Sequence, residues 1–182
     1  MVIVLALVSA LAYGTGDYCG GRATRSVQLL VVSIVTQTTS TALALALVAI
    51  DASAFPSGAT VAWSIAAGLM SLTGFLTFYE ALARGSMTVV APLTAVVSAI
   101  VPVIVGMASG ERPSALAIVG VLIALGAVAL VSGIGGRAER RTPPRIAAMA
   151  LIAGVAFGLL FVFLDRTDDG SGFWPLGISQ ST

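Results

Sequence analysis

Histidine and lysine are both absent from the 182 residues, and all nine basic side chains are arginine. Their absence removes the usual general base and transition-metal ligand, the P-loop cation and any Schiff-base amine. Cysteine occurs once, as Cys19, which excludes an internal disulfide and a multi-cysteine metal site. No catalytic residue, metal site or cofactor is expected. Charge is scarce as well: 9% of residues are charged, against about 25% in an ordinary soluble domain. A net charge of +1 offers no basic surface to a nucleic-acid partner. Hydrophobic residues take up 58% of the chain. A hydrocarbon core about 30 Å thick needs roughly 20 apolar residues per helical span, so the chain has room for about six spans and no sizeable soluble domain.

The apolar runs place those spans at about Val2 to Tyr18, Val27 to Ile50, Thr60 to Ala83, Met87 to Ser109, Ala115 to Ile134 and Ile146 to Leu164. Between them lie turn-like breaks, from Gly20-Gly21-Arg22 and Asp51 to Gly58 through to Gly135 to Pro144 and Arg166 to Gly172. The last residues, Phe173 to Thr182, turn apolar again behind a Trp-Pro pair suited to a membrane interface, as though a seventh helix were cut in its middle. Ala10-Leu11-Ala12 matches a signal-cleavage pattern, but no basic residue precedes the apolar run, so cleavage is not expected.

Arginine sets the expected orientation. The first, third and fifth loops carry Arg22, Arg25, Arg84, Arg137, Arg140, Arg141 and Arg145, and the even loops carry only Arg112 and Arg166. Positive charge is enriched in loops that stay in the cytoplasm. The odd loops are therefore expected inside and the N-terminus outside, in a multi-pass protein of the cell membrane.

The sequence also repeats itself. Ala6-Leu7-Val8-Ser9-Ala10-Leu11-Ala12-Tyr13-Gly14 is matched at an offset of 144 by Ala150-Leu151-Ile152-Ala153-Gly154-Val155-Ala156-Phe157-Gly158. Val35-Thr36-Gln37-Thr38-Thr39 is matched at an offset of 143 by Ile178-Ser179-Gln180-Ser181-Thr182. Two matches in nearly one register mark a duplicated unit. Five helices per unit is an odd number, so the second copy enters the membrane from the opposite side, as in the inverted repeats of many secondary transporters. The expected fold is an all-α multi-pass helical bundle. It has one five-helix repeat over 1–136, a basic linker over 137–145 and the start of an inverted second repeat over 146–182.

Tyr79-Glu80-Ala81-Leu82-Ala83, Val90-Ala91-Pro92-Leu93, Pro102, Gly110-Glu111-Arg112, Gly120 and Gly126 follow one another in an order that resembles the third to fifth helices of an EamA domain. Ala12-Tyr13-Gly14 and Gly20-Gly21-Arg22 are similar to the opening of that domain. The resemblance covers the whole chain as one complete repeat and about a quarter of a second, leaving roughly three and a half helices of that repeat unaccounted for. It implies a member of the drug/metabolite transporter superfamily, with ten helices in two inverted repeats and a small metabolite as cargo. The chain departs from the typical member, whose N-terminus is inside and whose basic loop follows the second helix. Here that loop is Asp51 to Gly58.

Candidate site residues follow from polarity at membrane depth. The second span carries Ser33, Thr36, Gln37, Thr38, Thr39, Ser40 and Thr41, of which Ser33, Gln37, Ser40 and Thr41 share one helical face. Serine and threonine can bond back to their own helix. An amide cannot, so Gln37 must face protein or water, either as glue between helices or in a solute cavity. Gln180 is its counterpart in the repeat, and Tyr13, Tyr79 and Pro92 come from the resembling motifs. Tyr13, Gln37, Thr41, Tyr79, Pro92 and Gln180 are thus the candidate solute-binding residues. Asp17 and Glu80 are candidates for ion coupling, the alternative being interfacial ion pairs with Arg22 and Arg84. Pro92 and Pro102 each leave a carbonyl without its helical donor, either exposing it to a solute or merely bending the helix. The stripe Thr88, Pro92, Ala95, Ala99, Pro102 and Gly106, with Ala10-x-x-x-Gly14 and Gly154-x-x-x-Gly158, reads as close helix packing.

The expected function is alternating-access transport of a small solute, with the lipid bilayer as surroundings and a homodimer left open. A membrane assembly protein whose polar second-span face binds a partner helix, or an inactive fragment, is the alternative. An intramembrane aspartyl protease would need a second aspartate at the depth of Asp17, and Asp165 is expected at the opposite membrane face.

Overall fold

A computed structural model describes residues 2–51, 53–134 and 143–182. Arg137, Arg140 and Arg141 of the basic linker lie outside the described residues. The described residues form α1 (Val2–Ala23), α2 (Leu29–Asp51), α3 (Gly58–Arg84), α4 (Met87–Ala108), α5 (Ala115–Ile134), α6 (Pro144–Asp165), a 3-10 turn (Asp169–Ser171) and α7 (Trp174–Ser181). The protein is an all-α multi-pass membrane protein. Four of these helices, α2, α3, α4 and α6, are long and apolar enough to cross a bilayer.

Local chemistry explains most of the boundaries. Ser57 starts α3 by accepting a hydrogen bond from the Thr60 backbone N–H at 3.3 Å, the usual work of a serine N-cap. Pro144 opens α6, where its missing N–H costs nothing. The turn after α4 needs a left-handed residue, and Gly110 supplies it at φ 91°. One boundary differs from the sequence expectation. Gly20 and Gly21 are helical residues of α1, and the chain turns only after Ala23. Their small size serves packing: a Cβ on Gly20 would lie 2.6 Å from the Tyr79 ring, and one on Gly21 would lie 2.7 Å from Met87.

The core lies where α3, α4 and α6 converge, around Phe78, Leu82, Val90, Ile146, Ala150 and Ala153. Lipid tails are as apolar as these side chains, so the helices gain by close van der Waals packing and hydrogen bonding rather than by escape from water. Gly154 and Gly158 let α6 approach α4 so closely that Cβ atoms there would fall 2.6 Å from Val97 and 2.5 Å from Val101. Thr94 Oγ1 then donates to the Ala150 carbonyl at 3.1 Å. The face that α4 turns to α6 is thus Val90, Thr94, Val97 and Val101. In the small-residue stripe predicted for packing, Ala95 and Ala99 are exposed, because the thin partner is α6 and the branched side chains of α4 fill its grooves.

Contacts between loops sort the helix ends onto two faces. Arg25 donates to the Gly85 carbonyl at 3.2 Å, joining the α1–α2 and α3–α4 connections near the start of α6. At the other face the α2–α3 connection meets the α6–α7 connection, and Arg166 reaches Ser109 at the end of α4 at 3.3 Å. These are called the Arg25 face and the Trp174 face below.

Candidate functional site

The polar side of α2 meets α7. Gln37 Nε2 donates to Gln180 Oε1 at 3.1 Å and to the Gln180 carbonyl at 3.3 Å, and Thr41 Oγ1, one turn on, donates to the same carbonyl at 2.5 Å. Small residues bring the helices together here. A Cβ on Gly177 would lie 3.0 Å from Val48, and one on Gly68 of α3 would lie 2.5 Å from the Ser179 carbonyl. Beside the amides runs an open groove of about 550 Å³, lined by Gln37, Thr38, Thr41, Gln180 and Ser181 with Ile34 and Leu45. Thr39 bonds back to the Val35 carbonyl at 2.8 Å, as a span hydroxyl is expected to do. Ser33 differs: its hydroxyl is buried without a partner among the described residues.

The remaining predicted residues fall in other places. Tyr79 is buried, stacked near Phe75 and Phe78, and its ring closes the floor of a second groove, about 440 Å³, between α1 and α2. Thr36, Gly16, Gly20 and Cys19 line that groove with it. Tyr13 is 66% exposed on α1 and joins neither groove. Pro92 is half-buried inside an unbroken α4 and lines neither groove. Glu80 pairs with Arg84 at 2.5 Å across one helical turn. Asp17 is half-buried, one turn before the Gly20 that meets the Tyr79 ring, and makes no ion pair among the described residues. Because α1 runs on through Gly20 and Gly21, Arg22 sits about 140° around the helix from Asp17 and cannot face it. Asp165 lies at the Trp174 face beside Ser109 and Arg166, at the other end of the bundle from Asp17.

A second polar cluster, at the Trp174 face, was not anticipated from the sequence. Asp168 Oδ2 accepts hydrogen bonds from Thr60 Oγ1 at 2.7 Å and Ser57 Oγ at 2.8 Å, and the Asp168 backbone N–H donates to Thr60 Oγ1 at 3.2 Å. The carboxylate therefore sits over the N-terminus of α3, where free N–H groups and the helix dipole favour negative charge. Hydrogen bonds from Thr60 and Ser57 hold its carboxyl below the usual 3.8. Trp174 Nε1 donates to the Ser53 carbonyl at 3.1 Å, and the Trp174 ring meets Phe55 edge-on with centroids 5.0 Å apart. Ser57 before an apolar helix is a readable cap signal, but its carboxylate partner lies 111 residues away in sequence.

No curated protein and no solved structure matches the chain. The sequence profile of the EamA-like transporter family matches residues 1–133, which takes in α1 to nearly the end of α5. That stretch holds the α2 polar face, the α1–α2 groove and the cap at α3. With most of its length matched, the chain belongs to the EamA-like transporter family.

Proposed function

We propose that this chain moves a small metabolite or drug-like solute across the cell membrane by alternating access, as a secondary transporter, around a site formed by Gln37, Thr41 and Gln180. The observation that carries this reading is the hydrogen bond between Gln37 and Gln180. The two residues hold corresponding positions in the two similar segments, 143 residues apart. Inverted repeats are related by a pseudo-two-fold axis in the membrane plane. A contact between corresponding positions maps onto itself under that operation, so it straddles the axis. Gln37 lies within about 5 Å of the middle of α2 at 1.5 Å per residue. A polar groove at mid-depth beside the axis is where secondary transporters hold their cargo.

The Trp174-face cluster supports the alternating-access part. It ties the α2–α3 connection to the α6–α7 connection, and such a tie between repeats closes one face while rocking elsewhere opens the other. Asp17, near Tyr79 and without an ion pair among the described residues, fits a coupling role better than Glu80, which Arg84 already neutralises. Arg22, Arg25, Arg84 and Arg145 gather toward the Arg25 face, against Arg112 and Arg166 at the other. That bias favours the Arg25 face as cytoplasmic and an external N-terminus.

Cysteine accessibility tests the site. In a Cys19→Ser background in membrane vesicles, Gln37→Cys and Gln180→Cys are each expected to react with a water-soluble thiol reagent. Two unreactive cysteines would overturn the reading. Orientation has its own test: a reporter active only in the cytoplasm is expected to work when fused after Arg141 and to stay silent after Ser57.

A further inference from the structure

The unused hydrogen-bonding positions of the α2–α7 groove indicate the class of solute it takes, an argument that rests on the transport reading of that groove. Every polar side chain lining it is an amide or a hydroxyl. Charged side chains are distant along each helix. Asp51 is ten residues beyond Thr41, about 15 Å at the helical rise, and Arg25 lies before the start of α2, which is itself about two turns below Gln37. On α3, Glu80 is twelve residues from Gly68, about 18 Å. A charged group brought to this depth would find no side-chain counter-charge in the lining, and uncompensated charge is expensive inside a membrane.

The amides themselves are only half used. Gln37 Nε2 is taken by Gln180. Gln37 Oε1 and Gln180 Nε2 have no hydrogen-bond partner among the described residues, although a glutamine amide can make up to four hydrogen bonds. Two amides already in contact, at the edge of the groove, thus carry one free acceptor and one free donor between them. The complementary group is an N–H adjacent to a C=O, the edge of an amide, lactam or imide. Ile34 and Leu45 supply an apolar wall for the rest of such a molecule. We infer that the groove binds an uncharged, amide-bearing solute with an apolar side group, its N–H donating to Gln37 Oε1 and its carbonyl accepting from Gln180 Nε2.

Three matched probes test this: N-acetyl-leucinamide, which is neutral; N-acetyl-leucinate, its anion; and leucinamide, a cation at about pH 6, where an α-amino group is protonated. Binding is read by thermal stabilisation and calorimetry of the purified 182-residue chain. A C-terminal affinity tag keeps the terminal carboxylate away from the groove. The neutral probe is expected to bind at least tenfold tighter than either charged one. Gln37→Leu should abolish that binding. Gln37→Glu, nearly the same shape, should weaken the neutral probe and gain the cation, an exchange that a damaged fold would not produce. The inference is overturned if a charged probe binds as tightly, if the neutral probe does not bind, or if both variants bind as the parent does. The transport reading fails separately, if N-acetyl-leucinamide binds but does not exchange across proteoliposome membranes.

Discussion

A Cβ added to Gly158 of α6 would come within 2.5 Å of Val101, whereas one added to Gly14 of α1, at the matching place in a similar stretch, would have nothing within 4 Å. The same contrast holds one turn earlier, where Gly154 touches α4 and Ala10 is exposed. Phe157 packs edge-on against Phe75 and Phe78, while Tyr13 in its place stands exposed. Small residues permit close approach but do not supply the helix that approaches. α6 finds α3 and α4, and α1 touches mainly α3 through Gly20 and Gly21. In lipid this matters more than in water, because an apolar face without a partner is solvated by hydrocarbon and carries no large penalty.

The comparison is broken most severely by filling the α6 groove. Gly154→Leu drives side-chain atoms into Val97 and the Thr94 carbonyl. Overpacking of this kind destabilises by about 1–3 kcal/mol or more, so the variant should show a clearly lowered unfolding temperature in detergent. An unchanged midpoint would mean that the α4–α6 contact does not hold the bundle.

Loosening the Trp174 face comes next. Asp168 is held below its ordinary 3.8 in the folded protein, so its contribution is fully present above that value and is lost as pH falls through the lower folded one. In a Trp63→Phe background, Trp174 fluorescence should stay level from neutral pH down to about 4 and change only in stronger acid. Asp168→Asn should raise quenching of Trp174 by acrylamide at neutral pH. Equal quenching in both proteins would separate the carboxylate from the loop contact.

Two smaller effects sharpen the contrast. Glu80→Gln removes a half-exposed pair whose arginine side chain is 60% accessible. Such pairs stabilise by at most about 1 kcal/mol, so unfolding should shift little and solute exchange should persist. Gly14→Leu, the twin of the disruptive change on α6, should move the unfolding midpoint by less than about 0.5 kcal/mol equivalent. A large loss there would reveal a partner for α1 that the described residues do not contain.

Much of the helix plan was legible, since hydropathy alone marks runs of about 20 apolar residues. α3, α4, α5 and α6 begin and end within two residues of the expected spans. α1 overran its expected end because Gly20-Gly21 reads locally as a turn, and only the Tyr79 ring shows why two glycines stay helical. On α4 the small-residue stripe looked like the interface, yet Val90, Thr94, Val97 and Val101 face α6. A packed pair needs one thin and one thick surface, and a single helix does not say which it will be.

The candidate site divides in the same way. Gln37 was singled out because an amide at membrane depth cannot be satisfied by its own helix, and Gln180 because it recurs at the same spacing. Polarity and periodicity are properties of the chain, so sequence determined them. That the two amides meet each other, that Tyr13 and Pro92 stand apart from them, and that Asp168 caps a helix 108 residues earlier through Thr60 were decided by tertiary structure. Hydrogen bonds form over about 3 Å, and only the packing of α2, α3, α6 and α7 brings residues so distant along the chain within that reach.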